Sequence, residues 1–292
     1  MNNYIRRIYL LAAVIYWALS SVLHLKVSLF IISPLPDFLP QIRPSEYISH
    51  LLVILAAFFF LWIIIRVKKR SVGPITIICA GLWCLAVFGA NRFLVSTGNE
   101  YVHYPQYAIL SILLYKAIKT DANPSPFARV LFWVTLMGII DETIQYFYIC
   151  PSYGDYLDFN DFVLNELGAV GGLVIIASTG CNSYPAHNEP HIGKAEIGTA
   201  GATVMLISLL ALSGLLQITP PREIPPGGTL KMNGNIKIFV ERKPGILGTW
   251  QKAQGAGRYY VLTPLEGAAI IFVIWMTCLF CESTAKRRRL RG

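Results

Sequence analysis

DETIQYFYICPSYGDYLDFNDFVLNELGAVGG, residues 141–172, decides how the chain is read. It holds six carboxylates, Asp141, Glu142, Asp155, Asp158, Asp161 and Glu166, and no Lys or Arg. Apolar runs long enough to cross a bilayer flank it. Acidic side chains at membrane depth are expensive, so they face a bundle interior or a wet cavity. The rest of the chain reads as a scaffold that holds this stretch at one face of a membrane.

Composition agrees. Of 292 residues, 54% are hydrophobic and 14% charged, against about 25% charged in soluble domains. Eight apolar runs are near the spanning length of about 20 residues: 8–25, 47–65, 75–93, 102–118, 127–148, 162–179, 200–217 and 265–281. The expected fold class is therefore an all-α polytopic membrane protein, a bundle of about eight transmembrane helices with a small β-rich extracytoplasmic loop. Residues 1–74 form an N-terminal transmembrane hairpin and 75–180 the core. Residues 181–199 are a cytoplasmic linker, and 200–292 a C-terminal pair of spans around loop 218–264. The N-terminus has the Arg-then-apolar order of a signal peptide, but no small-residue cleavage site follows, so it reads as a retained span.

The net charge of +9 sits in short clusters beside the runs. Arg6 and Arg7 precede the first. Arg66, Lys68, Lys69 and Arg70 follow the second. Lys116, Lys119 and Arg129 flank the next connection on that side. Lys194 follows the sixth, and Lys286, Arg287, Arg288, Arg289 and Arg291 the eighth. Eight crossings put all of these on one side, so the positive-inside rule makes both termini cytoplasmic. This is the charge pattern of a multi-pass protein of the bacterial cytoplasmic membrane, with the lipid bilayer as its partner, and not of a nucleic-acid binder. Loop 218–264 also carries Arg222, Lys231, Lys237, Arg242, Lys243, Lys252 and Arg258, which a long translocated loop tolerates. Its TLKM and NIKIFV runs flank Asn233-Gly234, a hairpin signal, and RYYVL adds a further strand. The basic character suits either anionic headgroups or packing on its own spans. Six cysteines scattered through mostly apolar runs make no disulfide framework. Cys278 and Cys281 read as two small apolar residues of a span. Cys181, His187 and His191 read as a linker rather than a zinc site.

The polar residues collect on one predicted side. Glu100, His103 and Tyr107 share a helical face, where Glu100 can orient the imidazole. The plain alternative is an interfacial Glu and His with an aromatic-belt Tyr. Asp141 lies roughly 10 Å below the outer end of its span. Asp141 and Glu142, left unpaired, would together cost on the order of 5–7 kcal/mol, so they need partners, protons or a cation. Gln145 shares a face with Asp141, and Glu142 is rotated by about 100°. Asp158 or Asp161 can cap the sixth span. Asp161, Asn165, Gly168 and Gly172 make one stripe, polar outside and glycine deeper, that lets a neighbour approach closely. The fifth span is the expected neighbour. Capping, a polar clamp and glycine packing are the structural alternative.

D-E-x-x-Q at 141–145, then D-x-x-D-x-x-x-N-x-x-G-x-x-x-G at 158–172, resembles the VanZ-like family. E-x-x-H-x-x-x-Y at 100–107 is similar to that family's other signature. The resemblance covers residues 75–179. It implies a small bacterial membrane protein, related to one associated with teicoplanin resistance, whose molecular activity is poorly understood. Two positions depart. Asp155 stands where an Arg is common, which leaves Arg92 or the basic loop to supply that charge, and Gln106 stands where an acid is common. The resemblance implies a cell-envelope role with site residues Glu100, His103, Tyr107, Asp141, Glu142, Gln145, Asp158, Asp161 and Asn165. The ligand classes are a lipid headgroup, a lipid-linked envelope precursor or a cation. A membrane-embedded enzyme with His103 as general base and Asp141 or Glu142 as acid or metal ligand is the second reading, and a structural or assembly factor the third. No motif names a cofactor or a particular metal.

Overall fold

The computed structural model describes residues 3–34, 43–69, 73–120, 126–152, 154–179, 192–226, 228–232, 234–254 and 257–289. Eight α-helices run through them: α1 (Asn3–Ile32), α2 (Pro44–Lys68), α3 (Pro74–Phe93), α4 (His103–Ile118), α5 (Phe127–Ile144), α6 (Phe159–Ser178), α7 (Lys194–Leu212) and α8 (Pro264–Arg289). Helices α1, α2, α3, α6, α7 and α8 are each long and apolar enough to cross a membrane. The chain is thus a helical protein of multi-pass membrane type. At 16 residues, α4 is shorter, and α5 carries Arg129, Asp141 and Glu142.

Helix α6 is the axis. It is buried along nearly its whole length and packs against α3, α4, α5 and α8, while α1 covers the other side of α4. Small residues let this happen. A Cβ on Gly168 would lie 2.8 Å from the backbone oxygens of His103 and Tyr104, and one on Gly171 would meet the Trp83 ring. Trp83 Nε1 donates to Leu167 O at 2.7 Å. The glycine stripe therefore meets α4, not α5, because the α4 backbone needs the room that a side chain would fill. Leu, Ile, Val and Phe cover the outer faces of α2, α3, α7 and α8, as lipid contact requires.

Hydrogen bonds sort the helix ends into two levels. Arg6 donates to Ala117 O, Arg66 to Ser178 O, and Arg129 pairs with Glu196, tying ends of α1 and α4, α2 and α6, and α5 and α7. The opposite level holds the start of α4, the end of α5, the start of α6 and the segment between α7 and α8.

That segment contains β1 (Leu216–Gln217), β2 (Thr229–Met232), β3 (Asn235–Phe239), β4 (Trp250–Lys252) and β5 (Arg258–Tyr260). Strand β3 pairs parallel with β1 and antiparallel with β2, and β4 pairs antiparallel with β5. Gly234 turns the β2–β3 connection at φ +82°. The segment is fastened to the bundle. Leu157 N donates to Val240 O at 2.7 Å, Arg242 N to Asp155 O at 2.6 Å and Gln254 N to Ser96 O at 2.9 Å. Tyr146 Oη donates to Phe239 O at 3.1 Å. Buried Asn160 adds two more bonds, from Nδ2 to Tyr260 O and from Leu262 N to its Oδ1, and a third from Nδ2 to Leu94 O ties in the end of α3. Of the two readings of this basic segment, Arg242 follows packing on its own protein, buried against Tyr146, and the half-exposed Lys243 pairs with Asp155.

Several boundaries differ from the hydropathy reading. The first helix continues through Ile32. The seventh begins at Lys194 and ends at Leu212 rather than spanning 200–217. Gly193 N donates to Glu196 Oε2 at 3.0 Å, which starts the helix inside the expected linker. After its C-terminus Gly214 takes φ +69°. The fifth run is α-helical to Ile144 and closes in a π turn, Gln145–Ile149. Helix α8 begins with a capping box, Thr263 N to Glu266 Oε2 at 2.8 Å and Glu266 N to Thr263 Oγ1 at 3.3 Å. The Cys181, His187 and His191 loop lies outside the described residues.

Candidate functional site

Helix α6 starts on Asp158, whose Oδ1 accepts from Asn160 N at 2.8 Å and Asp161 N at 3.3 Å. That start sets the register of everything after it. Asp161 and Asn165, one turn apart, face α4 at the point where α4 begins with His103. Asn165 Oδ1 lies 2.7 Å from His103 Nδ1, and Asn165 Nδ2 donates to Glu142 Oε1 at 2.9 Å. Asn165 thus joins α4 and α5 through one amide. On the other side of the ring, His103 Nε2 faces Asp161 Oδ1 at 3.5 Å. His103 is 1% exposed. Glu142 Oε1 is 3.9 Å from its Nδ1.

Asp141 sits in a second, adjoining cradle. Tyr107 Oη donates to its Oδ2 at 2.7 Å, Gln106 Nε2 to the same oxygen at 3.4 Å and Gln145 Nε2 to Oδ1 at 3.0 Å. A buried carboxylate with three donors is satisfied without a counter-charge. The burial of Tyr107 makes it a core hydrogen-bond donor rather than a belt residue. A Cβ on Gly138 would lie 3.4 Å from the Tyr107 ring, so α5 is thinned where the two cradles meet. The π turn that ends α5 supplies Gln145, in keeping with the frequency of such turns at functional sites.

Glu100 does not orient the imidazole. It lies in a 3-10 turn, Gly98–Val102, and its carboxylate folds back over Ser96 and Thr97. Ser96 N donates at 2.8 Å and Thr97 Oγ1 at 3.2 Å, with Ser96 Oγ a further donor. Burial, then the neighbouring Asp158 charge, pushes the Glu100 carboxyl up to about 7. Burial also pushes Asp158 up to about 6, against the pull of the two backbone amides it caps.

Asp155 is answered by the segment between α7 and α8. Lys243 Nζ pairs with Asp155 Oδ2 at 2.9 Å, and both groups are about half exposed. Arg242 lies 5.1 Å over the Tyr146 ring and donates to Pro151 O. Arg92 instead lies over the Phe93 ring at 5.7 Å.

Three participants were missed in the sequence. Gln106 is one. His24 of α1 is another, its ring centroid 5.4 Å from that of His103. Its signal was the polar stripe Trp17, Ser21, His24 and Ser28 at spacings of four, three and four. Asn160, which fastens the segment between α7 and α8, left no signal, because its partners are 66 to 102 residues away in the chain. Glu166 belongs to a different place. Its Oε2 accepts from Thr135 Oγ1 at 2.8 Å, and Thr135 Oγ1 in turn accepts from Trp275 Nε1 of α8 at 3.2 Å.

Taken together, α4, α5 and α6 bring His103, Tyr107, Asp141, Glu142, Gln145, Asp161 and Asn165 into one polar core, with Glu100 and Asp158 at its rim. Such a core can bind a cation, hold a proton at an imidazole, or grip a polar headgroup. Comparison with family models, with curated proteins and with solved structures gives no match to the chain.

Proposed function

We propose that the chain is a VanZ-like protein of the bacterial cytoplasmic membrane. It crosses the membrane eight times with both termini in the cytoplasm, and its β-containing segment lies outside. Its polar core takes part in a cell-envelope function, taking a lipid headgroup or a lipid-linked envelope precursor from the extracytoplasmic side. One observation carries this reading. The residues of three separated motifs meet in one buried cluster, joined by an amide that reaches 62 residues along the chain to His103. Unrelated capping and packing residues have no reason to converge in this way. The two levels of helix ends support the alternation of crossings, and the basic clusters at one level support its orientation. Expression in a glycopeptide-sensitive host tests the role. Wild-type protein should change teicoplanin susceptibility, and His103→Ala, Asp141→Ala and Glu142→Ala should abolish the change at equal expression. A wild-type phenotype for all three variants sinks the proposal.

The second reading, an enzyme acting on such a lipid, is favoured by the imidazole itself. Nδ1 is held by Asn165 while Nε2 faces a carboxylate, which is how a general base is oriented. Purified protein that leaves radiolabelled lipid and lipid-linked precursors unchanged, with and without divalent metal, speaks against it.

A further inference from the structure

We infer that His103 Nε2, Asp161 Oδ1 and a Glu142 oxygen form a site for a divalent transition-metal cation of the zinc type. The inference concerns the same polar core as the proposed function and adds the identity of what it holds.

The argument starts from hydrogen-bond direction. Glu142 as a carboxylate can only accept, so the Asn165 amide nitrogen is the atom that faces it. The amide oxygen must then face His103, and Nδ1 must carry a proton to donate to it. A neutral ring with its proton on Nδ1 presents a lone pair at Nε2. That lone pair points toward Asp161 Oδ1 at 3.5 Å. Asp161 Oδ1 is buried and has no hydrogen-bond partner among the described residues. Two electron-rich atoms facing each other in a buried site need an electrophile between them. The Asn165 contact is the partner that orients and polarises a metal-binding imidazole.

The spacing suits a metal better than a proton. Two ligands each about 2.0–2.1 Å from zinc, at a near-tetrahedral angle, stand about 3.3–3.5 Å apart. A hydrogen bond from an imidazolium N–H to a carboxylate closes to about 2.7–2.9 Å. The observed 3.5 Å falls in the first range. One ligand atom each from His103, Glu142 and Asp161 lie within 4.8 Å of one another; Glu142 Oε1 stands 3.9 Å from Nδ1, so a Glu142 oxygen turns toward the Nε2 side to complete the site.

Charge leads the same way. Among the described residues no Lys or Arg pairs with Asp141, Glu142 or Asp161. A dication at the three-ligand position balances Glu142 and Asp161 together. One imidazole and two carboxylates suit zinc and its neighbours better than the all-oxygen preference of calcium or magnesium. Three protein ligands leave a coordination position for water or a phosphate oxygen, as catalytic rather than structural zinc sites do.

The test uses the full-length protein in nanodiscs, stripped with chelator and titrated with Zn²⁺ or Co²⁺. Wild type should bind one equivalent, and Co²⁺ should give the intense visible bands of tetrahedral coordination. Asp161→Asn, nearly isosteric, and His103→Ala should each weaken binding at least tenfold, while Glu196→Gln at the opposite level should bind as wild type does. Absence of stoichiometric binding by wild type overturns the inference, and so does unchanged affinity in folded Asp161→Asn. An imidazolium–carboxylate pair without metal would give the former result. Teicoplanin susceptibility reads the envelope role separately: intact zinc binding with no phenotype would sink that role and leave the metal site standing.

Discussion

Asn160→Ala is expected to loosen the segment between α7 and α8 while leaving the bundle assembled. Asn160 is 1% exposed and makes three hydrogen bonds to backbone groups. Its Nδ2 donates to Leu94 O at 2.9 Å and Tyr260 O at 2.7 Å, and its Oδ1 accepts from Leu262 N at 2.9 Å. Alanine leaves two carbonyls and one amide without partners. At about 1–3 kcal/mol for each buried orphan, the cost is about 3–9 kcal/mol, toward the lower figure where water can reach the gap. The loss is local in consequence, because the three bonds join the end of α3, the start of α6 and the chain entering α8. Hydrogen exchange at residues 257–263 should accelerate by more than a hundredfold, and the apparent thermal midpoint should fall. Asn160→Asp separates hydrogen bonding from shape. It keeps the acceptor for Leu262 N but sets a carboxylate against two carbonyls, so it should be at least as harmful as Ala. If both variants retain Leu262 protection and unfold within about 0.5 kcal/mol of wild type, the range of an ordinary surface change, the reasoning is refuted.

Three further predictions use other parts of the fold. Gly168→Ala puts a methyl 2.8 Å from two α4 carbonyl oxygens and should cost about 1–3 kcal/mol through overpacking; Gly81→Ala, with nothing within 4 Å, should be neutral or stabilising by up to about 1 kcal/mol, and thermal unfolding distinguishes them. The Glu100 carboxyl, raised by burial to about 7, makes a contribution to stability that is complete below its ordinary value near 4.5. That contribution is lost as pH rises through about 7, because the folded state holds the proton that the unfolded chain gives up; unfolding followed from pH 4 to 8 should show this fall, and Glu100→Gln should flatten it. In a cysteine-free background, Arg258→Cys should react with an impermeant maleimide added to intact cells and Lys119→Cys only after permeabilisation; equal labelling of the two would refute the eight-crossing arrangement.

The helical, membrane-type character of the chain and its six apolar helices of spanning length were legible in the sequence, and the reason is physical. A bilayer-spanning helix must be apolar over about 20 residues whatever its neighbours are, so hydropathy reports it directly. Helix ends are set by single hydrogen bonds, such as Gly193 to Glu196, and the hydropathy boundaries of α1 and α7 were accordingly off. The stripe of Asp161, Asn165, Gly168 and Gly172 was visible because helical spacing is local. Which helix it meets was not visible, since that depends on where α4 comes to lie. Glu100 was misassigned because its carboxylate is taken by Ser96 and Thr97, partners that its three-residue spacing to His103 does not report.

The six acids of residues 141–172 looked in the sequence like one electrostatic object in need of one counter-charge. In the fold they have separate fates. Asp155 takes Lys243, Asp158 takes two backbone amides, and Asp141 takes Tyr107, Gln106 and Gln145. Glu142 takes Asn165, and Glu166 takes Thr135 on one oxygen. Among the described residues Glu166 and Asp161 each keep a buried oxygen without a hydrogen-bond partner, and only that of Asp161 lies opposite an imidazole nitrogen. The missing charge is therefore not spread over the stretch but narrowed to the gap between α4 and α6. Asp155 is spoken for at the surface by Lys243, so the core's own chemistry must be sought at His103 and Asp161.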